Sequence, residues 1–273
     1  MGIFGRFLTG LRLAKGSLAV LFDHPRLLLF PLVGGLAGLV YVGALLGGTF
    51  GLLQPEREVV VYGALFLVYA GSTFVASFFT AGLMHATRDA FRGEAPSVRR
   101  SLGAAWGNVG TLLLWSLLAA VVGVVIRAIE ESSDIGGKIV ALLFSVAWAV
   151  VTYFVVPAIV FEDVSVRGAF SRSGSLVRSI WGESLGAETG VSIVSFLLTA
   201  LGVLVAVALF VALPTDTTAG LAAVAVGGGT AILLALLVGY ALTGVAKTAL
   251  YVYGTEGETP RYFSGVDFGN KGR

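Results

Sequence analysis

The residues of this chain that could carry chemistry are few, and their spacing gives no catalytic or metal-binding pattern. Its two histidines, His24 and His85, have no second ligand at the spacing of H-x-x-x-H or H-E-x-x-H, so no metal site is predicted. The carboxylate pairs Glu130-Glu131 and Glu162-Asp163 are adjacent in sequence, and adjacent helical side chains point about 100° apart, so neither is a preorganised acid–base dyad. The chain has no cysteine, which excludes thiolate chemistry and disulfides. We therefore expect no catalytic residue and no cofactor.

Two other features could serve ligand binding or transport. Gly227-Gly228-Gly229 lacks the Lys-Ser/Thr of a phosphate-binding loop and lies in apolar sequence, so it predicts close contact between helices or a bend. Lys247 is the best candidate for a transport residue, because an ionisable residue within an apolar segment often marks a transport path. Its position near the end of that segment also fits an anchor that extends to the membrane surface, and both roles remain open.

The elements that must position these residues are long apolar segments. The chain is 56% hydrophobic and 12% charged, with a mean hydropathy of +0.92, whereas a soluble domain carries about 25% charged residues. Such a composition needs hydrocarbon as its solvent. We predict an all-α polytopic membrane protein with one membrane domain, whose six spans lie near 27–50, 59–84, 109–126, 139–161, 191–213 and 221–253. Pro31 and Pro157 predict kinks in the first and fourth spans.

The distribution of charge predicts the orientation. Fifteen of the 18 Lys and Arg residues lie before the first span, after each even-numbered span or at the inner end of the sixth; the other three are Arg57, Arg127 and Lys138. By the positive-inside rule, we expect both termini and the tail 254–273 to be cytoplasmic. We expect the protein to be a multi-pass protein of the plasma membrane. The net charge of +2 gives no reason to expect a nucleic-acid partner.

Three stretches on the predicted cytoplasmic side, 1–22, 97–108 and 166–181, have the periodicity of amphipathic interfacial helices. The apolar stripe of the first consists of Ile3, Phe4, Phe7, Leu8, Leu11, Ala14, Leu18 and Phe22. Lys15 interrupts this stripe, and Ser173 interrupts the apolar arc of the third. The residues predicted to enter the membrane interface are Phe7, Leu11, Trp106, Phe170, Val177 and Trp181. Those predicted to contact anionic lipid headgroups are Arg6, Arg12, Arg167 and Arg178.

Similar runs before the odd-numbered spans suggest an internal repeat. They begin at Ser17-Leu18, Ser101-Leu102 and Ser175-Leu176, and acidic turns follow the second and sixth spans at Gly93-Glu94-Ala95-Pro96 and Gly257-Glu258-Thr259-Pro260. The unit would be an interfacial helix followed by a pair of spans, present three times. Ser and Leu are common in this chain, so chance similarity remains an alternative.

One part of the sequence carries a family resemblance. Phe161-Glu162-Asp163 is followed by Gly168-Ala169-Phe170-Ser171-Arg172-Ser173, by Leu176-Val177-Arg178 and by Trp181-Gly182, and the first span is entered through Asp23-His24-Pro25-Arg26. The chain resembles uncharacterised six-helix prokaryotic membrane proteins known only as domains of unknown function. It is more loosely similar to the membrane domain of some glycerophosphodiester phosphodiesterases. The chemistry of those enzymes belongs to a separate soluble domain, so the resemblance implies a membrane layout and no activity.

Three classes of function follow from the sequence. The first is a non-catalytic membrane protein that organises lipid or shapes the membrane, with anionic lipids, further copies of itself or other membrane subunits as partners. The second is a transporter or channel for a small solute or lipid, which six spans permit. The third is a lipid-modifying enzyme, against which stands the lack of a catalytic constellation.

Overall fold

The structure is a computed structural model that describes residues 3–52, 58–132, 135–264 and 266 of the 273-residue chain. Within these residues, side chains are described except at 3–7, 50–52, 58, 132 and 179–189. The described part forms helices and no strand, as predicted. Its α-helices are α1 (Ile3–Asp23), α2 (Leu29–Leu52), α3 (Glu58–Phe91), α4 (Val98–Gly107), α5 (Val109–Ser132), α6 (Ile135–Val151), α7 (Val155–Glu162), α8 (Val166–Ala212) and α9 (Thr218–Glu256).

The prediction of six membrane spans is confirmed. Six helical segments of the described chain are long and apolar enough to cross a bilayer: Pro25–Thr49, Val59–Phe91, Val109–Glu131, Ile135–Glu162, Gly190–Ala212 and Thr218–Glu256. The shortest has 23 residues, and about 20 residues suffice to cross the roughly 30 Å of hydrocarbon. The protein is therefore an all-α, multi-pass membrane protein.

The chain, predicted as one domain, divides into two compact units. Unit 1 comprises Met1–Pro31, Thr87–Pro96 and Ile180–Arg273, and unit 2 comprises Leu32–Ala86 and Ser97–Ser179. Both units combine segments that are distant in sequence, because the helices α2, α3 and α8 each contribute residues to both units.

The core of unit 1 forms where α1 packs against the second half of α9 and against a 3₁₀ turn, Arg261–Phe263. Phe263 is fully buried, and it lies so close to α1 that a Cβ at Gly16 would be 2.6 Å from its ring. In the same unit α8 approaches α9, where a Cβ at Gly228 would be 2.9 Å from the Cβ of Ala206. The close helix contact predicted at the triple glycine is therefore present.

In unit 2, α5 packs against α6, and aromatic rings join them to α8. The rings of Trp115 and Trp148 stack with their centroids 5.9 Å apart, and Phe170 contacts both at 5.6 and 5.5 Å. Such aromatic contacts add to the apolar burial of the helices. They fix the first turns of α8 within this unit.

The two prolines predicted to kink spans act differently. Pro31 lies in the first turn of α2, where its missing N–H breaks no helical hydrogen bond, so no kink is needed there. The fourth span is interrupted before Pro157, since α6 ends at Val151 and α7 begins at Val155. Proline cannot donate to the carbonyl of Tyr153 and its ring crowds that carbonyl, so the preceding turn opens.

The sequence predicts an interfacial helix at 166–181 and a separate span at 191–213. The structure instead has the single helix α8 of 47 residues. No proline occurs between Pro157 and Pro214. The polar residues of the connecting stretch, among them Glu183 and Glu188, are compatible with helix, so loss of hydropathy does not end it.

Candidate membrane-interface site

One face of α1 is exposed and carries both apolar and basic side chains. Leu8 is 50% exposed and Phe22 is 81% exposed, and the side chains of Arg12 and Lys15 are exposed as well. At 100° per residue these four positions lie within an arc of about 80°. The sequence from Ile3 to Phe22 contains no acidic residue. This combination of apolar and basic side chains is typical of a helix that lies in the headgroup region of a membrane.

The apolar stripe predicted for residues 1–22 is not the face of α1 that packs against protein. Of the stripe's described members, Leu11 and Leu18 are half-buried and only Ala14 is buried. The protein-facing side is rotated away from the stripe, shares only Ala14 with its described members and includes Leu13, Val20 and Leu21. The interface roles of Leu11 and Arg12 remain predictions that fit this exposure. The side chains of Arg6 and Phe7 lie outside the described residues.

A polar contact fastens the end of α1 within unit 1. The hydroxyl of Tyr262 donates to Asp23 Oδ2 at 3.0 Å and lies 3.4 Å from His24 Nε2. Burial raises the pKa of Tyr262, and the hydrogen bond to Asp23 raises it further. Nearby, Arg88 forms an ion pair with Glu256, and the rings of Phe91 and Phe263 pack edge to face at 5.6 Å. The orientation of α1 is therefore fixed by packing and by polar contacts at its carboxyl end.

The short helix α4, in unit 2, presents a second exposed face. Ser97 caps it, and Ser101 and Ala105 are buried. Trp106 is 66% exposed and packs edge to face on Phe78, with the ring centroids 6.1 Å apart. The interface role predicted for Trp106 agrees with this exposure.

The predicted interfacial role of the first part of α8 does not fit its packing. Val177 is 8% exposed, and Phe170 packs in the aromatic cluster of Trp115 and Trp148. Both side chains contact protein here, and their entry into the membrane interface stays a prediction that this packing does not support. Arg167 and Arg178 are exposed, as a headgroup contact requires. The side chain of Trp181 lies outside the described residues.

Ser173, which interrupts the apolar arc of α8, bridges the break between α6 and α7. Its hydroxyl donates to the Val151 carbonyl at 2.6 Å and accepts from the Phe154 N–H at 3.0 Å. Both are backbone groups at the break, where the Val155 N–H bonds to Thr152 and not to Val151. Sequence periodicity marks Ser173 as an irregularity, but it does not reveal partners 19 and 22 residues away.

The two carboxylate pairs are held in structural contacts. Arg127 Nε donates to Glu131 Oε1 at 2.7 Å, and the Tyr62 hydroxyl donates to Glu131 Oε2 at 3.1 Å. In the other pair, Arg172 Nε donates to Glu162 Oε1 at 2.7 Å. Asp163 ends α7 in the left-handed conformation, with a φ of 49°. With its amide nitrogen turned toward acceptors, Asn108 donates to Asp163 Oδ1 at 3.0 Å.

Lys247 lies in the most buried part of α9. Its side chain is half-buried, while its neighbours Ala246 and Thr248 are buried. The arrangement is compatible with an anchor and with a transport residue, so both predictions stand. Among the described residues, no group of three or more His, Asp or Glu side chains is placed to hold a metal ion.

The fold and these faces define a class: a six-span helical membrane protein with amphipathic helical surfaces outside its spans. Residues 59–261 match the model of a family of unknown function, DUF6159. The chain therefore belongs to this family, and the expectation of an uncharacterised membrane protein family is confirmed. Comparisons with curated proteins and with solved structures give no match.

Proposed function

We propose that this protein is a non-catalytic membrane protein that gathers anionic lipid in the cytoplasmic leaflet and, where its copies cluster, shapes the membrane. The observation that supports the proposal is the exposed face of α1, on which Leu8 and Phe22 flank Arg12 and Lys15. Exposed apolar side chains such as these, on a helix whose other side is packed, indicate a surface that contacts another molecule or a membrane. Lipid provides such a contact for both kinds of side chain.

The energetics favour an anionic surface over a neutral one. Transferring a large apolar side chain such as Phe22 from water to hydrocarbon contributes about 2 kcal/mol. Each cation held near an anionic leaflet contributes about 1 kcal/mol more. Because α1 would occupy area in one leaflet only, a cluster of copies would widen that leaflet and bend the bilayer.

Vesicles that contain the purified protein and a minor fraction of fluorescent phosphatidylglycerol test the proposal. Wild type should enrich the anionic lipid around itself and alter the shape of the vesicles seen by cryo-electron microscopy. Arg12→Gln with Lys15→Gln should sharply lower the enrichment, and Leu8→Ser with Phe22→Ser should abolish the change of shape.

The control is Val59→Ser with Ile135→Ser, which removes two side chains that are 84% and 78% exposed at other places. This control should behave like wild type. If wild type neither enriches anionic lipid nor alters vesicle shape, the proposal is wrong.

Transport of a small solute or lipid is the second candidate, and the interruption of the fourth span between α6 and α7 favours it. Discontinuous spans are common at the substrate sites of transporters. Here the Val151 carbonyl and the Phe154 N–H already bond to Ser173, which weighs against a ligand at the break. Solute flux measured on the same vesicles distinguishes the two candidates.

The resemblance of residues 161–182 to the membrane domain of glycerophosphodiester phosphodiesterases adds no activity to the proposal. It concerns a corner between helices, where Glu162 pairs with Arg172. Assay of the purified protein with phospholipid and glycerophosphodiester substrates tests the non-catalytic part of the proposal, and turnover of either substrate would contradict it.

A further inference from the structure

We propose that unit 2 carries a binding site for a single anionic phospholipid, formed by the exposed face of α4 and the adjacent aromatic face of α3. The proposal rests on the proposed function, from which it takes lipid as the class of ligand. Its residues are separate from those of α1, and its evidence comes from unit 2 alone.

The amino end of α4 has an unusual electrostatic character. Arg99 and Arg100 occupy its first turn and are exposed, and the first turn contains no acidic residue. The helix dipole places partial positive charge at this end, so acidic residues are favoured there and basic ones are disfavoured. The exposed Arg99 adds to the dipole field, and an external anion is the partner that its charge fits.

Arg99 and Trp106 lie on the same face of α4. They are seven residues apart, which is two helical turns and about 10.5 Å along the axis. Between them lies the exposed Gly103, where an added Cβ would meet nothing within 4 Å. The face therefore has a cation at one end, an exposed indole at the other and an open notch between them. This length suits a phosphate headgroup and the glycerol that follows it.

The aromatic face of α3 continues from Trp106. Phe78 contacts the Trp106 ring, Phe74 stacks on Phe78 with the centroids 6.2 Å apart, and Leu67 is 48% exposed. Leu67, Phe74 and Phe78 are spaced by seven and four residues, so they share one face of the helix. From Leu67 to Phe78 the helix rises about 16 Å, close to the hydrocarbon thickness of one leaflet. An acyl chain can lie along this face while its headgroup contacts Arg99.

Fluorescence quenching by brominated lipid tests the site in the full chain. The signal of Trp106 is the difference between wild type and Trp106→Phe, in phosphatidylcholine vesicles with a minor fraction of brominated phosphatidylglycerol or of brominated phosphatidylcholine. We expect the anionic lipid to quench Trp106 several-fold more effectively. Arg99→Gln should lower this selectivity about fivefold, the effect of one cation near an anionic lipid. Gly103→Leu should fill the notch and weaken quenching, while circular dichroism remains that of wild type.

The control is Arg12→Gln with Lys15→Gln, which removes two positive charges from α1 and should leave the Trp106 selectivity intact. Equal quenching by the two brominated lipids in wild type would mean that Trp106 is only an interfacial anchor, and it would overturn this proposal. Loss of lipid enrichment in the α1 variant with retained Trp106 selectivity supports both proposals as separate effects. Enrichment by α1 without Trp106 selectivity refutes this site alone.

Discussion

Replacing Ser173 with alanine should destabilise unit 2 more than replacing Ser175, another serine of α8, with alanine. The Ser173 side chain is fully buried, and its hydroxyl is bonded to the Val151 carbonyl and to the Phe154 N–H. Both partners are backbone groups at the break between α6 and α7. Ser173→Ala therefore removes one hydroxyl and, with it, one hydrogen bond from each of these two backbone groups.

The magnitude follows from the number of groups that are affected. A buried backbone group that loses its partner costs about 1 to 3 kcal/mol, and hydrogen bonds within membranes lie near the lower end. For two groups we expect a loss of about 2 kcal/mol in the free energy of unfolding. Ser175→Ala is the matched control, since the Ser175 hydroxyl is exposed and, among the described residues, bonds only to the Arg172 carbonyl of its own helix. Its effect should be within about 0.5 kcal/mol of zero.

The assay is reversible unfolding in mixed micelles, in which sodium dodecyl sulfate is titrated and the fluorescence of the tryptophan cluster is followed. Far-UV circular dichroism of each variant before titration confirms that it is folded. If Ser173→Ala and Ser175→Ala unfold at the same detergent fraction, the freed groups at the break do not depend on Ser173. The explanation of the break would then be wrong.

Three further predictions concern topology, anchoring and pH. Impermeant thiol reagents added to intact cells should label the outer variants Gln54→Cys, Ser133→Cys and Thr217→Cys and should not label Thr9→Cys, Ser97→Cys, Ser175→Cys or Ser264→Cys; external labelling at Ser97 or Ser175 would contradict cytoplasmic termini. If Lys247 is an anchor, Lys247→Arg should be silent and Lys247→Leu should cost modest stability, whereas loss of solute flux with intact assembly in Lys247→Leu would indicate transport. The pKa of Tyr262 is raised in the folded state, so its neutral hydroxyl stabilises the fold. This stabilisation is fully present below about pH 10, the unfolded pKa, and is lost as pH rises through the folded pKa. Thermal unfolding curves of Tyr262→Phe should therefore lack this loss of stability at alkaline pH.

The six spans could be predicted because their cause is local. Each is a run of apolar residues long enough to cross hydrocarbon, and composition alone defines it. The continuity of α8 is harder to predict, because hydropathy falls between 182 and 190 while helix formation depends on backbone hydrogen bonds. The absence of proline from Pro157 to Pro214 was the available signal for one long helix. In this segment a fall in hydropathy therefore does not mark the end of the helix.

The positions of Pro157 and Ser173 illustrate a different difficulty. The proline predicts a disturbance in the fourth span, and the helix does end shortly before it. The residue that satisfies the opened turn comes from the next helix, and its polarity alone does not name the carbonyl or the N–H that it contacts. The sequence shows both the proline and the serine, but it does not show that Ser173 lies within hydrogen-bonding distance of the break.

The face of α1 that is exposed depends on a property that helical periodicity does not measure. Hydrocarbon and a protein core both accept apolar side chains, so an apolar stripe can face either of them. In α1 the sides are distinguished by residue size and by charge: the packed side contains Gly16, against which Phe263 lies, whereas the exposed side contains Arg12 and Lys15. Small residues permit close contact between packed elements, and cations require water or headgroups. Lys15, which interrupts the apolar stripe, is therefore the sequence signal that this side of α1 is exposed and does not form the core of unit 1.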